Sequence, residues 1–155
     1  MDRDDPRLAR DAVDGLDEDE YFWALMAPAW DDADAGTPGQ RLLAVTTYLV
    51  RDVENGGMHQ AAWNRTPAEL DEAIAALERL GATAHAATAR EAVRLLLGEH
   101  PPASLDDRRA LLDALDRDEV VERLEPLDER LYDERRLRPH FRRYVDEHPH
   151  EFFRD

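Results

Sequence analysis

The chain has no cysteine and no lysine, and its 155 residues include a single serine, Ser104. Without Cys there can be no disulfide, no thiolate metal site and no cysteine nucleophile. Without Lys, all 20 basic residues are arginine, and Schiff-base chemistry is excluded. A lone serine at an expected helix start leaves covalent catalysis few candidates. Long apolar runs are also missing: none approaches the roughly 20 residues needed to cross a bilayer. The opening "MDRDDPRLAR" carries no apolar stretch resembling a signal peptide. These features predict a soluble, cytoplasmic protein without a membrane partner.

What is present in excess is carboxylate. Thirty-six Asp and Glu against 20 Arg give a net charge of −16, while 43% hydrophobic residues support a folded core. The imbalance is uneven: residues 1–36 hold 12 acids and 3 Arg, residues 37–100 hold 8 and 6, and residues 101–155 hold 16 and 11. Free nucleic acid should be repelled, because affinity for phosphate backbones rests on clustered cations. The charged partner to expect is a basic protein. Acidity of this kind also serves solubility in a salty cytoplasm, and that reading predicts a protein that loses structure at low ionic strength.

Strand signals are weak, since no segment sustains apolar–polar alternation. Helix signals are strong. "TPGQ" at 37–40 and "TPAE" at 66–69 place Thr as N-cap, Pro at the first helical position and Gln or Glu where its side chain reaches back. "SLDD" at 104–107 repeats the idea with Asp. Apolar stripes at helical spacing follow: Leu42 to Val53, Leu70 to Leu80 ending at Gly81, Thr83 to Leu97 ending at Gly98, and Leu105 to Leu115. Asp118 to Leu131, interrupted by Pro126, and Pro139 to Glu147 add two more. "DEDEYFWALMAPAW" predicts a short helix with acids in its first turn and its aromatics in the core. The expected fold is all-α: an acidic helical segment over 1–36 packed on a single compact helical domain over 37–150, with a loose tail over 151–155.

The stretch "ENGGMHQAAWN" at 54–64 breaks the first stripe. One reading is a sharp helix-to-helix joint, with Gly56 and Gly57 supplying positive φ or close backbone approach and a buried Gln60–Asn64 pair holding it together. Another is a polar pocket of Glu54, Asn55, His59 and Gln60, which would suit a small hydrolase. A phosphate loop is disfavoured, because the P-loop Lys and hydroxyl are missing and Glu54 would repel an anion. "HPH" at 148–150 is the only dense group of metal-ligand types, and no metal or cofactor is expected.

"VENGGMHQAAWN", then "AIAALERLGATAHAATAREAV", then "LEPLDERLYD" resemble the DNA-mimic-protein-like family over roughly residues 40–150. Asn55, Gly56, Gly57, Gln60 and Asn64 fit its central motif, and Met58 stands where an aromatic is usual. The resemblance implies an all-helical fold, structural roles for the motif residues, no catalysis, and an acidic protein, a homodimer among its states, that imitates DNA and occupies a DNA-binding protein. The physical requirement is a ladder of carboxylates. Asp14, Glu18, Asp31, Asp32 and Asp34 are the expected face. Asp118, Glu122 and Glu125 form a second candidate, with Arg135, Arg136, Arg138, Arg142 and Arg143 partly neutralising the C-terminal third. An immunity-type inhibitor of a basic toxin is the alternative within the binding class.

Overall fold

The computed structural model of the protein describes residues 5–155. Seven α-helices carry these residues: α1 (Glu18–Met26), α2 (Pro38–Asn64), α3 (Pro67–Arg79), α4 (Thr83–Leu97), α5 (Leu105–Asp113), α6 (Arg117–Leu131) and α7 (Arg138–Glu147). Short 3-10 turns join several of them, and two-residue strands β1 (Leu8–Ala9) and β2 (Phe153–Arg154) pair in parallel. The protein is all-α, as the stripes predict.

The helix starts form by the local chemistry read from the sequence. The Thr37 N–H donates to Gln40 Oε1 (2.9 Å) while the Gln40 N–H donates to Thr37 Oγ1 (3.2 Å), and Thr66 and Glu69 repeat the exchange at α3. Ser104 Oγ accepts the Asp107 N–H at the start of α5 (3.0 Å). Asp17 and Glu20 make a further reciprocal cap on α1. Each satisfies backbone donors that a helix leaves unpaired, which is worth about 1 kcal/mol per cap. Pro126 does not end α6, which continues to Leu131. Its missing N–H orphans only the carbonyl of Glu122, and both residues lie on the exposed side.

The chain divides into two compact units, the first running to Val45 and resuming at Arg138–Asp155, the second spanning Thr46–Leu137. The division falls inside α2. In the first unit, Phe22, Leu25, Leu43, Phe141 and Phe152 are fully buried. Phe22 meets Phe141 edge-on at 5.6 Å, and the Arg138 guanidinium lies 5.0 Å from the Phe22 ring centre. The expected loose tail is instead packed: a side chain at Gly39 would collide with the Phe152 ring, so glycine there admits the aromatic. Trp23 departs from the expected aromatic core, being 44% exposed against Trp30.

The second unit buries the stripes of α2 to α6, including Val53, Met58, Leu77, Leu80, Ala89, Leu96, Leu112 and Leu131. It also buries Arg108 completely, with no hydrogen-bond partner for Nε, Nη1 or Nη2.

Candidate functional site: the glycine joint and the carboxylate row

Helix α2 is two helices fused at a kink. Gly56 takes φ −164°, ψ 25°, and Gly57 takes φ 70°, ψ −175°, a region open essentially to glycine alone. The kink leaves the next turn without intrahelical acceptors, and Asp128 of α6 supplies one: the Met58 N–H donates to Asp128 Oδ1 at 2.8 Å. A Cβ on Gly57 would strike the same carboxylate. Gly57 is therefore required twice, by its dihedral angles and by the approach of α6. Asp128 is nearly buried, and burial pushes its carboxyl pKa up, with the Met58 hydrogen bond opposing and Glu125 adding to the rise.

The other motif residues brace this joint. Gln60 folds its side chain against Gly56, and Asn64 Nδ2 donates to Asp52 Oδ1 (3.3 Å). Asp52 also accepts from Arg65 Nε (2.8 Å), so residues before and after the kink are tied through one carboxylate. The expected Gln60–Asn64 pair is corrected by this contact: Asp52, one turn before the joint, takes Asn64 because an ionised acceptor makes the stronger hydrogen bond. Asn55 is exposed. His59 stacks on Trp63 at 6.2 Å, and Trp63 receives the Arg109 guanidinium at 5.1 Å. Glu54 Oε1 accepts the N–H groups of Asp133 (3.0 Å) and Glu134 (3.2 Å), capping the turn after α6. Of the residues of the expected polar pocket, Glu54 caps this turn through Oε1, Gln60 packs against Gly56, Asn55 is exposed, and His59 lines the groove beside the joint.

Beside the joint lies an apolar groove of about 230 Å³. Leu112, Leu115, Val120, Val121 and Leu124 line it, with Gly56, His59 and Arg117 also on its walls. Val121 is 59% exposed, the most exposed of the large apolar side chains among the described residues.

The carboxylates of the N-terminal face are all exposed. Asp34 pairs with Arg41 (2.6 Å) and Glu18 with Arg142 (3.9 Å). Asp32 accepts the Asp34 N–H (3.1 Å). Asp14 has extended backbone ahead of α1, so it does not share a helical face with Glu18. In the first unit Asp14 lines a cavity of about 450 Å³ with Arg10, Tyr21 and Asp146.

On α6 the pattern is more regular. Asp118, Glu122, Glu125 and Glu129 recur at i, i+4, i+7 and i+11, all exposed and none in an ion pair. At 3.6 residues per turn they fall within roughly a 60° arc and run about 17 Å along the axis. Glu129 extends the candidate triplet, and the same spacing carried one step further finds it in the sequence. Arg123 and Arg130 sit on another side of the helix, where with Arg94 they line a separate cleft of about 590 Å³. They leave the row un-neutralised.

The "HPH" segment forms no ligand set. His148 stacks on Tyr144 at 4.2 Å with Nδ1 against the Tyr144 carbonyl (3.0 Å). Among the described residues no three metal-ligating side chains gather. No helix among them is long and apolar enough to cross a membrane.

No curated protein and no solved structure matches the chain. The family model described as DMP19-like protein matches residues 34–148, well over half of the sequence and including the whole glycine joint, α6 and its carboxylate row, and the chain belongs to that family.

Proposed function

We propose that the protein acts by binding rather than catalysis, presenting carboxylates in place of DNA phosphates to a basic, DNA-binding protein. The observation that carries this reading is the row Asp118, Glu122, Glu125 and Glu129 on α6, exposed and, among the described residues, with no arginine paired to its carboxylates. The Arg136 guanidinium meets only the Glu129 carbonyl (3.4 Å). Like charges at i, i+3 and i+4 destabilise a helix by about 0.2–0.5 kcal/mol per pair. Such a cost is readily relieved by one substitution, so a row whose carboxylates take no arginine partner favours a role for its charge. Family membership supports the same reading. The N-terminal face of Asp14, Glu18, Asp31, Asp32 and Asp34 is the weaker surface, since two of its five carboxylates already hold arginine partners.

The row is sparser than DNA. A duplex carries a charge about every 3.4 Å along each strand, against roughly 5.5 Å on α6 from the helical rise. Electrostatics would supply fast encounter and salt sensitivity, and tight binding needs a further contact. An inhibitor of a basic toxin would use the same charges with more shape-specific contact, and the apolar groove beside the row favours keeping that second reading. The engaged side chains of Glu54 and Gln60 speak against the hydrolase.

The test is capture of proteins from the source lysate at low and high salt, with and without excess duplex DNA. Basic DNA-binding proteins held at low salt, displaced by DNA, and lost with Asp118→Asn/Glu122→Gln/Glu125→Gln/Glu129→Gln are the expected result. A basic protein that DNA does not displace would transfer the reading to the inhibitor. Loss with the N-terminal carboxylates neutralised, and not with those of α6, would move the surface to the first unit.

A further inference from the structure

We infer that the groove between α5, α6 and the second half of α2 is the seat of an amphipathic helix from the partner, with the carboxylate row gripping that helix along its basic flank. This rests on the binding reading above and adds the occupant and its orientation. On α6, Val120 and Leu124 face the groove, Val121 stands at its lip, and Glu122 and Glu125 lie immediately beyond Val121. By helical phase the zones follow one another around α6 as apolar groove, exposed apolar lip and acidic row. Arg117, in the first turn of α6, is the one cation on the groove wall among the described residues, exposed and between Leu124 and Val121 in phase.

A surface built this way is complementary to one kind of segment. A free phosphate, nucleotide or acidic peptide is repelled by the row, and an uncharged apolar ligand leaves the row without a purpose. An extended basic chain satisfies the row but offers no continuous apolar edge to the groove. A helix with Leu-like residues at i, i+3, i+4 and i+7 and arginines or lysines one step around its surface matches both zones at once, because its own apolar and basic stripes are parallel. Leu112 from α5 and Leu115 from the turn that follows it also line the groove, so the occupant is held by more than α6 alone. The exposure of Val121 follows: its side chain contacts little within its own unit and completes its burial against the partner.

The probe is a synthetic helix of about 18 residues with leucines on one face and arginines along one flank, compared with a permuted peptide of the same composition that has no apolar face. Fluorescence anisotropy at low and moderate salt reports binding to the full chain. The amphipathic peptide should bind about tenfold or more tighter than the permuted one. Val121→Asp, at an exposed position that leaves the fold intact, should cost about tenfold with the amphipathic peptide and leave the permuted one unchanged. Glu122→Gln/Glu125→Gln should weaken both peptides and flatten the salt dependence. Equal affinity for the two peptides, or indifference to Val121→Asp, overturns the inference. Self-association of the chain that Val121→Asp abolishes also overturns it, by giving the groove to a second copy. Capture of DNA-displaceable proteins together with peptide binding indifferent to Val121→Asp would leave the proposed function standing and remove this inference alone.

Discussion

Arg108 shows how far phase alone can be trusted at a single position. It lies three residues after Leu105 and four before Leu112, on the apolar stripe of α5, and it is buried as that phase dictates. Its neighbour Arg109 points elsewhere, donating from Nε to the Trp63 carbonyl at 3.3 Å. The stripe read from the sequence names leucines alone, and of these Leu111 is exposed, so the burial of Arg108 in its place is a finding of the structure. Burial pushes the Arg108 guanidinium pKa down, and Glu69, the acid that favours its charge, is held to the Thr66 N–H in the cap of α3. A buried cation without a hydrogen-bonded counterion is a cost that an apolar residue of similar length avoids. Arg108→Met should raise the unfolding free energy by about 1–4 kcal/mol, read from urea denaturation at neutral pH. A destabilised variant would mean that the guanidinium is held by contacts stronger than the packing that replaces it.

Among the elements, what is local was legible and what is distant was not. The capping pairs Thr37–Gln40 and Thr66–Glu69 span three residues, so their chemistry is complete within the sequence window that predicts it. The glycine joint was half legible. Gly56 and Gly57 announced a break in α2, and the break is there, but its acceptor is Asp128, 70 residues from Met58. No spacing rule connects those positions. The partner of Asn64 was misjudged for a similar reason: Gln60 is nearer along the helix, whereas Asp52 is brought close only by the kink. Within the candidate site, the row on α6 was readable from its periodicity and the groove was not, since its walls come from three elements. The joint itself makes a prediction. Gly57→Ala should cost about 2–4 kcal/mol from a disfavoured backbone and the collision with Asp128 together. Because burial raises the native pKa of Asp128 above the ordinary 3.8, the folded protein holds this proton to higher pH than the unfolded chain does. Unfolding then releases a proton between those two values, so this group's contribution to stability is greatest at acid pH and falls as pH rises through the window. Asp128→Asn keeps an acceptor for the Met58 N–H and should flatten that part of the pH profile, measured by urea midpoints from about pH 4 to 7. A profile unchanged by Asp128→Asn would assign the slope to other carboxylates.

For the molecule as a whole, the net charge of −16 sets two salt dependences of opposite sign. Exposed ion pairs such as Arg90–Glu78 and Arg94–Glu99 are worth about 0–1 kcal/mol each, and salt weakens them. The excess of 36 carboxylates over 20 arginines repels itself across the surface, and salt weakens that as well. The second effect should win, because exposed pairs are solvated and individually weak while the excess charge acts throughout the folded state. Raising NaCl from about 0.01 to 0.5 M shortens the screening length from roughly 30 Å to a few ångströms, so the melting temperature should rise by several degrees. Partner binding should weaken over the same range, since its attraction is screened by the same ions. Measuring both on one sample separates the two purposes of acidity. A protein stabilised by salt that also loses its partner has acidic groups working in recognition at the expense of stability. A protein stabilised by salt whose binding is unaffected carries its charge for solubility, and its partner contacts are then those of the apolar groove. A melting temperature that falls with NaCl would show instead that the ion pairs outweigh the repulsion, and that the carboxylates are placed to be neutralised within the chain.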